Sequence, residues 1–341
     1  MIPNWLLGKS KSKLQEILGG GGGGGTTYTA GEGINITNHE ISVDPLLMVD
    51  IEQTALAIPT KAAKTQISNP NILHNPWFQV NQREFTTANT NGYCVDRWRI
   101  NKATTGDTTY TLNSDGTITI DNSLGETQAY LIQRRTAKTI SRVTGRKITA
   151  SIMLSDGTVR SGSGTYVATE TTNYYEDDDI KLQSIAQTSG QFFGLRVEAG
   201  KSITIKALKL EIGEISTLHM DPRPEYATEL AKCQRYFQRI QSTVSGQAVN
   251  LTIGCAVSSS QVILPLPITP MRATPTLTHS SVTIRSAQTG DSVTPTTIGI
   301  NTTGTNCIML YCNSSAGNIT VGSPWYLQLA SGGYIDLSAE L

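Results

Sequence analysis

Seven consecutive glycines, Gly19–Gly25, divide the chain into parts that have to fold separately. No helix or strand gains side-chain packing by crossing such a run, and glycine loses more backbone freedom on ordering than any other residue. The run reads as a tether. Before it, Trp5, Leu6 and Leu7 are followed by Leu14, Ile17 and Leu18 on one face of a helix starting near Lys11. A helix of that length is unstable alone. Residues 1–25 are therefore expected as an anchoring peptide with its tether, against the plain alternative of a frayed terminus. The start lacks a basic region leading into an apolar core and a small-residue cleavage site, which predicts no secretory leader.

Beyond the tether, Ile34 and Ile36, then Ile41 and Val43, alternate with polar residues about Asn38 and His39. That pattern predicts one small hairpin. Two short strands cannot bury enough apolar area to stand alone, so the hairpin needs partners, most economically copies of itself. Leu47, Ile51, Ala55 and Ile58 follow at helical spacing. They suit three helices packed about one axis, or a linker helix lying on the next domain. Residues 26–68 are expected as a trimeric shaft or neck.

The remainder reads as all-β, because 46 Thr and 29 Ser accompany 31 Gly, and β-branched Thr suits a half-buried pleated surface. Segments such as Lys147-Ile-Thr-Ala-Ser-Ile-Met-Leu154 and Phe192-Phe-Gly-Leu-Arg-Val197 alternate as strands, punctuated by turns such as Ser114-Asp-Gly116. Residues 69–221 are expected as a jelly-roll-like β-sandwich. Residues 222–241 are expected as a linker helix, since Tyr226, Leu230, Cys233, Phe237 and Ile240 recur at helical spacing behind Pro224. Residues 242–341 are expected as a second β-sandwich.

Chemistry is sparse. The 27 basic and 27 acidic residues balance, giving no electrostatic case for nucleic acid or an anionic membrane. The longest apolar runs fall short of the ~18–20 residues of a membrane-spanning helix. His39, His74, His219 and His279 are isolated from one another, and Cys94, Cys233, Cys255, Cys307 and Cys312 show no CxxC pair, so no metal and no cofactor is expected and the thiols are expected free and buried. No G-x-S-x-G elbow marks a nucleophile. Carboxylate pairs such as Asp96 with Glu84 or Asp177 with Glu170 stay open for glycoside hydrolysis, because the required separation is spatial. Tyr174-Tyr-Glu-Asp-Asp-Asp179 offers oxygen ligands for Ca²⁺, although an exposed acidic loop is the commoner case. Trp77, Phe78, Tyr93 and Trp98 are expected in the first core, while Tyr311, Trp325 and Tyr326 are taken as candidate sugar-stacking contacts in the last domain, with core packing the commoner fate of each.

Three stretches together resemble tail fibres and receptor-binding proteins of tailed bacteriophages. They are Tyr28-x-Ala-Gly-x-Gly-Ile34-x-Ile36 closing with Ile41-Ser-Val43; Asn71-Ile-Leu-His-Asn-Pro-Trp-Phe-Gln-Val-Asn-Gln-Arg83 with Asp96-Arg-Trp98; and Lys209-Leu-Glu-Ile-Gly213, Pro222-Arg-Pro224 and Glu229-Leu-Ala-Lys-Cys-Gln-Arg-Tyr-Phe237. The second and third are similar to the opening and the end of a carbohydrate-binding-like jelly roll. Pro76 and Glu84 depart from that pattern, standing where glycines are common. The resemblance implies an elongated homotrimer located in the virion and assembled in the host cytoplasm. Trp5, Leu6 and Leu7 would anchor it to the phage particle, and the C-terminal domain would meet a host-surface glycan or outer-membrane receptor without catalysis. A structural head, collar or tail fibre is the alternative. A polysaccharide depolymerase is a third reading, against which no solenoid repeat is visible.

Overall fold

The computed structural model describes residues 34–37, 40–43, 68–102, 107–243, 245–315 and 319–340. The chain divides into two units, residues 1–67 and 68–341. In the first, β1 (Ile34–Thr37) and β2 (Glu40–Val43) pair antiparallel with Ile34 opposite Val43 and Ile36 opposite Ile41, the expected hairpin. The anchoring peptide with Trp5, Leu6 and Leu7, the glycine tether and the neck helix lie outside the described residues.

The second unit opens with twelve strands. They are β3 (Thr87–Ala88), β4 (Gly92–Tyr93), β5 (Arg99–Lys102), β6 (Thr109–Leu112), β7 (Ile118–Asn122), β8 (Ala129–Arg134), β9 (Lys147–Leu154), β10 (Val159–Thr165), β11 (Thr172–Glu176), β12 (Ile180–Gln187), β13 (Gly190–Val197) and β14 (Lys201–Ile212). They form two six-stranded antiparallel sheets, ordered β10-β9-β14-β7-β6-β3 and β11-β12-β13-β8-β5-β4. Alternation along each strand turns Ile118, Ile120, Ile148, Ile152 and Leu208 of one sheet and Leu131, Leu182, Phe193 and Leu195 of the other into a single buried core. Phe78 meets Trp98 edge-on at 5.6 Å within it. Of the four expected core aromatics, these two are buried, while Trp77 and Tyr93 are half-buried.

Two local features place the ends of this module. The buried Lys209 ammonium pairs with Asp221 at 2.5 Å and donates to Ser68 and Thr217, so it ties the chain where it enters to the chain where it leaves. A seven-residue helix, α1 (Ala137–Val143), follows β8, with Thr136 as its N-cap accepting from the Thr139 N–H. No pattern in the sequence announced α1, because about two turns leave too few positions to show periodicity.

The expected linker helix is shorter than its periodicity suggested. Helix α2 (Tyr226–Gln234) begins at the N-cap Glu225, which accepts from the N–H groups of Ala227 and Thr228, and it ends at Arg235. Residues Phe237–Gln241 instead form strand β15. Sheet pairing wins there because β15 finds a full run of partners on a later strand. The helical face fails too, since Tyr226 is 52% exposed and the side chains buried from α2 are Glu229 and Cys233.

The last block contains β16 (Val249–Ser258), β17 (Gln261–Pro267), β18 (Thr276–Ser286), β19 (Ser292–Val293), β20 (Thr297–Thr303), β21 (Cys307–Asn313) and β22 (Pro324–Ser338). Their hydrogen bonding makes one eight-stranded sheet ordered β19-β18-β22-β16-β17-β21-β20, with β15 also on β22, rather than the two separate sheets of the expected sandwich. The long β22 explains this. One of its edges pairs with β16 and then β15, and the other runs the length of β18. A register shift around Ser281, at φ 53°, faces the Gly332 kink at φ 71°. These bends let one sheet curl around the core of Val262, Leu264, Ile284, Leu310, Leu327, Ile335 and Leu337.

Candidate functional site: a basic cleft at the module junction

The two β-modules of residues 68–341 meet through the Asn71–Arg83 segment, the Asp96–Trp98 turn, α2 and the residues after β22. Asn75, at φ 51°, is fully buried. Its side chain accepts from the Val80 N–H and donates to the Val80 and Asp96 carbonyls, and its own carbonyl accepts from the Trp98 indole at 2.8 Å. Its backbone N–H donates to Glu229 of α2. Arg83 and Arg97 both donate to Glu340, which is 5% exposed, while their guanidinium faces lie 3.6 Å from the Phe237 and Tyr236 rings respectively. Asp96 accepts from Gln82, and burial raises its pKa to about 6. Glu84 takes φ 53°, the region glycine favours, and holds it while facing Arg239 and accepting from Gln241. Pro76 is accommodated because the left-handed residues are its neighbours Asn75 and Phe78.

Beside this joint lies a cleft of about 820 Å³. One wall is Asn69 to Ile72 and α1, and the other is Arg235, Tyr236 and Arg272. Lys138, Arg142, Arg235 and Arg272 line it, all four exposed, and none of the fifteen lining residues is acidic. Among the described residues none of these four cations has an ion-pair partner. His74 also lines it, clamped through its backbone by the Gln133 amide at 2.9 and 2.8 Å and tilted against Tyr236 at 5.6 Å. Burial, helped by Arg97, Lys232 and Arg235, lowers the His74 pKa to about 3, so the ring is neutral at pH 7.

Behind the cleft is a small pocket of about 20 Å³ that shares Ile72, His74, Thr136, Thr139 and Tyr236 with it and adds Arg97 and Arg135. Arg135 is buried, and donates to Ser184 at 2.9 Å while its guanidinium lies 5.1 Å from the Tyr166 ring. Burial pushes its pKa down, with only Tyr174 and Tyr166 opposing.

The three residues proposed from sequence as sugar contacts do not share a face. Trp325 is 3% exposed and packs in the core with its indole donating to Ser323, so it presents no face to a ligand. Physical chemistry favours that outcome for the one Trp on an alternating strand. Tyr326 and Tyr311 point outward and are half-buried, with the Tyr311 ring lying against Gly299. The register carries this outer face from Tyr326 to Ile253, and from Cys255 through Ile263 to Tyr311. The cleft was missed, since Arg142 and Arg272 stand in no motif, and Arg235, inside the Glu229–Phe237 stretch, was read as part of a linker helix.

In the acidic loop, Asp177 is taken by Arg160, Tyr175 and two backbone N–H groups, Asp179 by Lys201 and Glu176 by Lys181. Those partners occupy the oxygens that Ca²⁺ would need, and no group of three metal-ligating side chains occurs among the described residues. The five cysteines are free, and Cys255 is exposed rather than buried as expected. No helix among the described residues is long and apolar enough to cross a membrane.

The chain matches no family model and no curated protein. Its function therefore has to be argued from this geometry and from the sequence motifs.

Proposed function

We propose that the chain is a bacteriophage tail fibre protein, a homotrimer that attaches the virion to a host cell-surface glycan without catalysis. The junction cleft is the observation that carries this reading. It is of the size that takes a small ligand or a few sugar units, and Asn, Thr, Arg and Lys side chains line it. It is held by the same segments, Asn71–Arg83 and Asp96–Trp98, that carry the resemblance to phage receptor-binding proteins. The anchoring peptide with Trp5, Leu6 and Leu7 would join the virion. The β1–β2 hairpin, two short strands that cannot bury enough apolar area alone, supports association of copies. Three copies turn weak single-site contacts into avidity.

Binding of the full chain to purified bacterial surface polysaccharides tests the proposal. Saturable binding is expected, together with its loss in Ala137→Trp, which fills the cleft from an exposed position on α1. No binding to any surface polysaccharide, or unchanged binding by the variant, would reject it.

A further inference from the structure

The chain as a whole is charge-balanced, yet four cations without an ion-pair partner among the described residues line one cleft. At the inner end the chemistry is equally one-sided. Arg97 Nε and Arg135 Nε and Nη1 are buried with no hydrogen-bond partner among the described residues. Arg97 has Glu340 beside it, but no carboxylate pairs with Arg135. Guanidinium nitrogens only donate, and beyond the Ala339 carbonyl that takes one Arg272 N–H and the Ser184 hydroxyl that takes one from Arg135, the four arginines and the lysine here call for acceptors. A sugar hydroxyl donates as well as accepts. A phosphate or carboxylate only accepts, and its planar or tetrahedral oxygens match guanidinium donors two at a time.

We propose that the junction cleft takes an anionic saccharide, a sugar carrying a phosphate or carboxylate group. Its oxyanion faces Arg135 and the inner pocket, and its sugar lies between α1 and the Arg235–Arg272 wall. This rests on the attachment reading above and specifies what the recognised glycan has to carry. A polynucleotide fits less well, because the cations gather at one cleft and do not extend as a track for a backbone.

The test uses the full chain and three probes, a hexose 1-phosphate, a hexuronic acid and the parent hexose, measured by calorimetry and saturation-transfer NMR. At least one anion is expected to bind about tenfold or more tighter than the hexose, and the order of the two anions separates a phosphate-bearing from a uronate-bearing glycan. Arg142→Gln and Arg235→Gln are each expected to weaken that anion severalfold with unchanged melting, since both side chains are exposed, and Arg272→Gln is expected to weaken it too, with a lowered melting point because its guanidinium also donates to the Ala339 carbonyl. Arg135→Lys, which keeps the buried charge but loses the planar fork, is expected to weaken it further. Equal affinity for the hexose, or anion binding indifferent to the rim variants, would overturn the anionic assignment while leaving glycan attachment standing. The assignment also fails if envelope polysaccharide binds and none of the three probes competes, or if an oligonucleotide binds and no saccharide does. Failure to bind any envelope polysaccharide would instead reject the attachment reading itself.

Discussion

Glu340 accepts from Arg83 at 3.0 Å although the two residues stand 257 positions apart in the chain. The same carboxylate takes Arg97, and Asp96 lies against Arg83 from the other side. The ends of the second unit are thereby locked to the turn that opens its first sandwich. Replacing Glu340 by Ala leaves Arg97, which is 2% exposed, without its carboxylate. Breaking a buried pair from one side costs about 3–5 kcal/mol. A loss of that order in denaturant unfolding, with a lowered Tm, is expected, and a change within error would show the pair to be dispensable.

Two buried groups at the joint give opposite pH dependences. The folded chain keeps a proton on Asp96 up to about pH 6 that the unfolded chain releases near the ordinary carboxylate value of 3.8. Stability from that proton is present below about 4 and lost as the pH rises through 6, at most about 3 kcal/mol. His74 behaves inversely. The unfolded chain takes up its proton below 6.5 and the folded chain refuses it down to about 3, so stability is present above 6.5 and lost on acidification. Urea unfolding of Asp96→Asn between pH 4 and 6 is expected to show stability rising with pH, and of His74→Gln to show it falling. Identical profiles for the two variants would contradict both assignments.

Trp325 and Tyr326 are neighbours on β22 with opposite fates. Trp325→Ala removes a fully packed indole and is expected to cost about 3–5 kcal/mol, whereas Tyr326→Ala on the outer face is expected to cost less than about 1 kcal/mol. Denaturant titration of the two variants checks this, and comparable losses would mean that the outer face is packed too.

Removing residues 1–67 is expected to leave a folded unit, since residues 68–341 are compact by themselves. Light scattering should give three chains for the full protein and one for the truncated form. A full-length monomer would remove the homotrimer, and a truncated trimer would move the contact from the hairpin to the β-modules.

Much of the fold was legible where alternation is clean. Strand β9 spans the residues that its pattern outlined, and the β1–β2 register follows from Ile34, Ile36, Ile41 and Val43. The sequence misled where tertiary pairing overrides a local period, as at Phe237 and Ile240, whose helical spacing serves a strand. At Trp325 it left two fates open, and the structure shows the commoner one, burial in the core. The cleft was illegible for a different reason. Arg142, Arg235 and Arg272 come from three separate elements, and the equal totals of acid and base hide a local excess that forms only on folding.

The most direct measurement is hydrogen–deuterium exchange of the full chain with and without a bound surface polysaccharide. Protection at residues 69–74, 136–143, 235–236 and 272 is the result this account requires. Protection confined to the outer face around Tyr311 and Tyr326, with none at the cleft, would contradict it.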